Sequence, residues 1–412
     1  MFIQFHFIQN YAPSNLNRDD LGAPKTCYFG EVLRSRISSQ SLKRSIRMSD
    51  EFKELLGGIR TRRLAELIAK EVNGNDKTQK RVEKILEKCG IKPPVKASET
   101  KKNKNENNDE EDDDDKKDTK MLVYTTVEAI KEMAEFLKNT DNSDEDATKK
   151  FAELIANKTA VPDMALTGRM LEPSGAGDVW KDLNKTVEAS LQVAHAISTH
   201  ETHPEVDYFV AADDQPGKDA GAGYLDEAIF SSSCFYKYFS INWELLVKNL
   251  NGNKELAVHT VGALLRGAAT CNPSGKQNSF AAHNPPDGIL VELRNSPVSY
   301  ANAFADPVTK QANRSIVEQS IAQLGKYASD IKAGYGYPSA SLWLSPNPLY
   351  TFHNNTSNGD VESCKTLDDL TESMIQALSD KLNLNISWAM AKNAVLDEVN
   401  RLNTMVQDER SR

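Results

Sequence analysis

The chain has 412 residues, 39% hydrophobic and 26% charged, enough for a sizeable core spread over two or three lobes. No apolar run approaches the ~18 residues that span a bilayer, and Met1-Phe2-Ile3-Gln4-Phe5-His6 lacks the basic-then-apolar order of a signal peptide. The expectation is a cytoplasmic protein without membrane contact. A net charge of −9 argues against a generally basic coat for nucleic acid, but the charge is unevenly placed.

In chain order, Phe2–Ile8 alternates apolar and polar residues and predicts a strand. Asn10–Phe29, with Pro13, Asn15, Asn17, Gly22 and Pro24, predicts a long loop. A helix is expected from about Ser38 or Ser39. Residues 50–90 are rich in helix formers, with Leu64, Leu67, Ile68, Ile85 and Leu86 at helical spacing, and Pro93-Pro94 stops them. Glu99–Lys120 holds ten acids, six bases and no apolar residue, which predicts a disordered acidic loop. Helical pattern resumes over Val127–Leu137 and Ala147–Ala156, so residues of about 50–160 read as an inserted helical domain.

Val187–Thr199 predicts a further helix. Val206–Ala211 and Ala228–Ile241 are aromatic and β-branched, with Gly217, Gly221 and Gly223 between them, and predict a long hairpin. Glu255–Arg266 predicts a helix, Cys271–Asp287 a loop and Gly288–Leu293 a strand. The tail from Gln311 reads as mixed and mostly helical. The five cysteines, Cys27, Cys89, Cys234, Cys271 and Cys364, include no CxxC and are expected to be reduced and mostly buried.

The first 47 residues carry seven bases, Arg18, Lys25, Arg34, Arg36, Lys43, Arg44 and Arg47, against three acids. On a helix starting at Ser39, Gln40, Lys43, Arg44 and Arg47 share one face while Leu42 and Ile46 point to a core. The serines can cap the helix, and its free N–H groups can meet a phosphate. Arg34 and Arg36 precede it on an extended stretch. The pattern fits phosphate binding; a solvated basic helix face is the alternative.

Cys271-Asn272-Pro273-Ser274-Gly275-Lys276-Gln277-Asn278 has the composition of a phosphate loop without the GxxxxGK[ST] spacing, which speaks against nucleotide hydrolysis. It leaves a backbone-contacting loop with Lys276 and Gln277, or an ordinary polar turn. Most aromatics of 206–241 read as core, with Tyr208-Phe209 the pair expected to be exposed and able to stack on or wedge between bases. His195, His200 and His203 could be imagined as metal ligands, but no carboxylate stands near His195 in sequence. Asp19-Asp20 could hold Mg²⁺ or pair with Arg18. With no GxSxG or HExxH, neither hydrolase chemistry nor a cofactor or metal is expected.

Ser14-Asn15-Leu16-Asn17-Arg18-Asp19-Asp20 followed by Arg36-Ile37-Ser38-Ser39-Gln40-Ser41-Leu42-Lys43-Arg44 resembles the N-terminus of the CasC family, the backbone subunit of the type I-E CRISPR Cascade. Further resemblances follow in order: Ala165-Leu166-Thr167-Gly168-Arg169-Met170, Ala194-His195-Ala196-Ile197-Ser198-Thr199-His200, Asp207-Tyr208-Phe209, Phe230-Ser231-Ser232-Ser233 and Gly275-Lys276-Gln277. The resemblance spans about residues 1–305 and weakens beyond.

It implies an α+β, hand-shaped protein. A modified RRM-like (ferredoxin-like) palm would comprise residues 1–49, 160–200 and 231–412. A helical fingers insertion would be 50–159, and an extended thumb hairpin 201–230. It implies a non-catalytic protein whose copies stack along the guide RNA (crRNA), beside other Cascade subunits, and present the guide for pairing with target DNA in antiviral defence. The RNA-contacting candidates are Arg18, Lys25, Arg34, Arg36, Ser38, Ser39, Gln40, Lys43, Arg44, Arg47, Arg169, Met170, Lys276 and Gln277, with Tyr208 and Phe209 as a thumb wedge. The acidic loop 99–120 departs from the family pattern. The competing classes are a guide-processing or target-cleaving ribonuclease on a related fold, with His6 as an imaginable base, and a general single-strand binder.

Overall fold

The computed structural model describes residues 1–53, 55, 57–72, 74, 76–91, 121–139, 141–173, 177–211, 224–336, 340–352 and 361–393. The acidic segment 99–120, the Pro93-Pro94 stop and the glycines of the hairpin tip lie outside them. The described residues form a mixed α+β fold with a central mixed sheet. They divide into two compact units. One comprises Met1–Glu54, Leu191–Glu244 and Lys254–Arg412, the other Leu55–Ser190 and Leu245–Asn253.

The first unit opens with strands β1 (Phe2–Ser14), β2 (Thr26–Phe29) and β3 (Val32–Ile37), then helices α1 (Ser39–Arg47) and α2 (Asp50–Lys53). The second holds β4 (Gly58–Thr61), α3 (Leu64–Glu71), α4 (Asp76–Lys88), β5 (Val123–Thr126), α5 (Val127–Lys138), α6 (Asp144–Asn157), α7 (Pro162–Thr167), β6 (Arg169–Met170) and β7 (Thr186–Val187). The chain returns with β8 (Leu191–Val193), β9 (Ala196–Ser198), β10 (Glu205–Ala211) and β11 (Tyr224–Asn242), and α8 (Trp243–Asn249) follows. Then come α9 (Lys254–Thr270), α10 (Gln277–Phe280), β12 (Gly288–Arg294), α11 (Ile316–Tyr335), β13 (Ala340–Leu344), β14 (Val361–Cys364) and α12 (Leu367–Leu382).

The sheet of the first unit runs β14-β13-β12-β1-β11-β9-β3-β2, with β8 and β10 also paired to β11. Among the described residues, only β13 and β14 pair in parallel. β1 lies between β11 and β12, antiparallel to both, and every residue from Ile3 to Gln9 is buried. Both faces are therefore covered. Ile8, Tyr236, Leu290 and Trp343 pack with Val317, Ile321 and Leu324 of α11. On the other face Lys237 lies over the Phe7 ring and reaches Ala268 O of α9.

β1 is longer than the strand expected over Phe2–Ile8, and the predicted loop is correspondingly shorter. Pairing with β11 carries the extended backbone past Pro13, with a register shift between Tyr11 and Ser14. Val187–Thr199 is not a helix. Leu191 and Val193 pair with Ile241 and Phe239, and Ile197 is bridged by Tyr236 on one side and Arg36 on the other. Non-local pairing in the sheet overrides a local pattern that suits either state. Between β2 and β3, Gly30 and Glu31 both have positive φ, the two-residue turn that suits a hairpin. A side chain on Gly30 would strike Ala305 O.

In the second unit, Leu64, Ile68, Ile85, Met133, Phe151 and Ile155 share one core, and Trp180 donates to Cys89 O at 2.8 Å. Thr126 and Ser143 cap α5 and α6. β4, paired with β5, interrupts the helical run expected over 50–90. Gly58 N and Tyr124 Oη donate to the two oxygens of the buried Asp163 carboxylate. A Cβ on Gly58 would lie 2.7 Å from that carboxylate.

A buried polar cluster sits on the α11 side of the sheet. Tyr300 N–H donates to Tyr236 Oη, and Tyr236 Oη and His6 Nδ1 share a hydrogen bond of 2.8 Å. His6 Nε2 faces Glu292 at 3.4 Å without hydrogen-bond geometry. Glu292 accepts both arms of Arg294 and the Tyr300 hydroxyl. Burial pushes the Glu292 carboxyl up, but His6 and Arg294 together outweigh it and hold it at about 2. Burial lowers His6 below its ordinary 6.5 against the pull of Glu292, and burial also lowers His200 and brings His259 to about 4.

A histidine with a lowered folded pKa takes up its proton more readily when unfolded, so its contribution is lost as pH falls below 6.5. Glu292 loses its contribution only between 4.5 and about 2. Urea unfolding from about pH 8 to about pH 5 should therefore show stability falling once the pH drops below the ordinary histidine value. A flat profile across that range would contradict the buried neutral histidines.

Candidate nucleic-acid interface

α1 forms where the motif predicts it. Ser38 is the N-cap, and its side chain accepts from Ser41 N at 3.3 Å. Ser39, Leu42 and Ile46 are buried, whereas Gln40 and Arg44 are exposed and Lys43 and Arg47 half-buried. Ser38 N also donates to Asn17 Oδ1 at 2.8 Å, which ties the start of the helix to the preceding loop.

That loop is held from inside. Asn15 donates to Gly22 O and Ile229 O, and Asp19 Oδ1 accepts from Leu21 N and Ala23 N. Asp19 is thus engaged in shaping the loop. No group of three or more His, Cys, Asp or Glu among the described residues is placed to hold a metal ion. The segment 273–277 closes over the loop. A Cβ on Gly275 would sit 2.4 Å from Leu16 O, so only glycine permits this approach. Lys276 takes a left-handed backbone and is half-buried, and the short helix α10 starts after it, inside the predicted Cys271–Asp287 loop. Gln277 Nε2 is spent on Pro273 O and Ala282 O. An open cleft is lined by Asn17, Arg18, Gly22, Ser41, Ser274 and Gly275, among others.

The two arginines of β3 differ. Arg34 is fully buried and donates to Phe29 O, Ser198 O and Phe304 O at 3.0, 3.0 and 2.8 Å. Its guanidinium serves the interior and presents nothing to a ligand. Arg36 is half-buried, with Nε to Thr26 O at 3.3 Å and Nη1 to His195 Nδ1 at 2.8 Å. Lys25 and Lys43 lie near enough to act on the same histidine. His195, weighed from the sequence only as a metal ligand, stands instead against Arg36, and no local signal in the sequence points to that contact. His200 bonds Glu201 O and Cys234 N within the fold, and His203 is exposed.

Arg169 and Met170 belong to the second unit. Arg169 is buried, with Nη1 on Ile155 O, and burial lowers its pKa to about 10. Met170 is 75% exposed. The other candidates lie in the first unit. Tyr208 and Phe209 stand on opposite faces of the β10–β11 hairpin, paired with Glu227 and Asp226, and are 68% and 42% exposed. Phe235, Tyr236 and Phe239 of the same hairpin are core. His6, the imagined nuclease base, is fully buried in its tyrosine and Glu292 cluster. No helix among the described residues is long and apolar enough to cross a membrane.

Comparison with known proteins adds to this geometry. A chain of a solved structure described as "CRISPR RNA-guided surveillance complex, pre-nicking" is 28% identical, with a TM-score of 0.71, and the match covers 92% of this chain and 100% of that one. A chain from a structure described as "CRISPR RNA-guided surveillance complex" is 24% identical with a TM-score of 0.57 over the same shares, and shows the likeness of fold alone. No curated protein matches. Residues 3–373 match the sequence model of the CT1975-like proteins, and over that span the chain belongs to this family of Cas proteins.

Proposed function

We propose that the chain is a backbone subunit of a CRISPR surveillance complex of the type I-E Cascade kind. It binds crRNA without cleaving it, in the cytoplasm, among further copies of itself and other Cascade subunits, and leaves the guide free to pair with target DNA. The observation that carries the reading is the basic face of α1, with Arg36 and Lys25, on a chain 28% identical to one in such a complex. A phosphate grip of this kind holds RNA and leaves sequence readout to base pairing. In this reading the first unit supplies an RRM-like palm and the β10–β11 hairpin as thumb, and the second supplies the fingers. Co-purification with sequencing of bound RNA tests it. Guide sequences of defined length, recovered intact with and without divalent metal, are expected; random RNA would favour a general binder, and cleaved RNA a nuclease.

The hairpin gives a separate expectation. Tyr208 and Phe209 are exposed, so replacing both with Ala should barely shift urea unfolding of the free subunit. Base stacking is worth ~1–3 kcal/mol per base, repeated at every subunit along a guide. Guide-dependent assembly should therefore fall steeply. A strongly destabilised subunit that still assembles normally would make the pair ordinary core.

A further inference from the structure

Arg36 and His195 are 159 residues apart in sequence. β9 brings them together: Arg36 of β3 pairs with Ile197, which places the residue just before β9 beside the arginine. Arg36 Nη1 lies 2.8 Å from His195 Nδ1. Arginine can only donate, so Nδ1 is the acceptor and the ring proton sits on Nε2. Arg36 Nε is fixed to Thr26 O, and the Arg36 backbone N–H to Lys25 O. The guanidinium is thereby held at two points. Among the described residues, Arg36 Nη2 and His195 Nε2 have no hydrogen-bond partner, and His195 is exposed.

The charges acting on this imidazole are those of Arg36, Lys25 and Lys43, and no carboxylate is among them. Burial first, then these three cations, hold its pKa below the ordinary 6.5, so the ring is neutral at neutral pH. Three cations and a neutral N–H donor thus converge from the loop, β3, α1 and the β8–β9 link. With two unfilled donors and no carboxylate among the charges acting on the histidine, the Arg36–His195 pair suits an anion with several oxygens in a tetrahedral array, a phosphodiester.

We propose that His195 is a positioning residue that holds Arg36 through Nδ1 for one backbone phosphate, while its own Nε2–H donates to the same phosphate. The inference rests on the RNA-binding reading and adds to it a residue that carries no charge. A neutral donor releases no counterion, so its loss should weaken binding without changing the salt dependence, unlike the loss of a cation.

The test uses the full chain and a synthetic single-stranded RNA at about pH 7.5, with affinity measured across a salt series. His195→Ala should weaken binding about tenfold with the wild-type salt slope. Arg36→Ala should weaken binding and flatten the slope by about 0.7. The double variant should be little worse than Arg36→Ala, because the histidine acts largely through the arginine. His195→Asn, whose amide oxygen can replace Nδ1, should restore most of the loss. Thermal midpoints monitor folding, and the Asn variant keeps the test open should the Ala variant unfold. Wild-type affinity in His195→Ala, fully multiplicative losses in the double variant, or a folded Asn variant as weak as Ala would each overturn the proposal. Wild-type protein that binds no RNA would overturn the RNA-binding reading together with it.

Discussion

Replacing Lys43, Arg44 and Arg47 together with Ala should lower RNA affinity by at least about a hundredfold at low salt and reduce the salt slope by about 2 per subunit. Ser39, Leu42 and Ile46 anchor α1 in the core, and the three bases with Gln40 share the opposite face. Their removal leaves the buried anchors and the Ser38 cap in place, so the thermal midpoint should hold or shift by a few degrees. Single-stranded RNA releases ~0.7 counterion per phosphate contact, which sets the expected change in slope. A variant with the wild-type slope would mean that this face is a solvated surface and that phosphates are held elsewhere.

Arg34→Ala should do the reverse. It removes a buried guanidinium whose fork serves carbonyls from three segments, Phe29, Ser198 and Phe304. It leaves those carbonyls unpaired and opens a cavity beside the Gly30 turn, a loss of about 3 kcal/mol. Arg34→Lys should recover little, because one ammonium cannot reach the carbonyls that the planar fork reaches together. Urea midpoints read the effect directly. If Arg34→Ala keeps its stability and loses RNA affinity, the buried role described above is wrong.

These two arginine-bearing segments also show where sequence stops being readable. The α1 face follows from 3.6-residue spacing alone, and its Ser cap lies within three residues. The hairpin of β10 and β11 is similarly local, since β-branched and aromatic runs flank glycines. Arg34 and Arg36 look alike in sequence, two residues apart on one strand. What separates them is covering by Ser198 and Phe304, residues more than a hundred positions away. The same distance hid His195. Its stretch, Val187–Thr199, has a pattern that serves helix or strand, and only the presence of β11 and β3 on either side decides between them. The slow sheet-forming pairs, not the local signals, carry that information.

β11 runs unbroken for 19 residues, from the projecting hairpin to the centre of the sheet. The faces of the hairpin are therefore phase-locked to the interior register, because side chains alternate every residue along one continuous strand. One residue inserted near Ser232 would leave the pairs from Phe235 to Asn242 with β1 intact, yet turn the ribbon over, so that Phe209 pointed where Tyr208 had been. Two inserted residues would restore the facing and push the ribbon outward by roughly 7 Å. The strand thus works as both gauge and index, fixing how far the aromatic pair reaches and which way each ring looks.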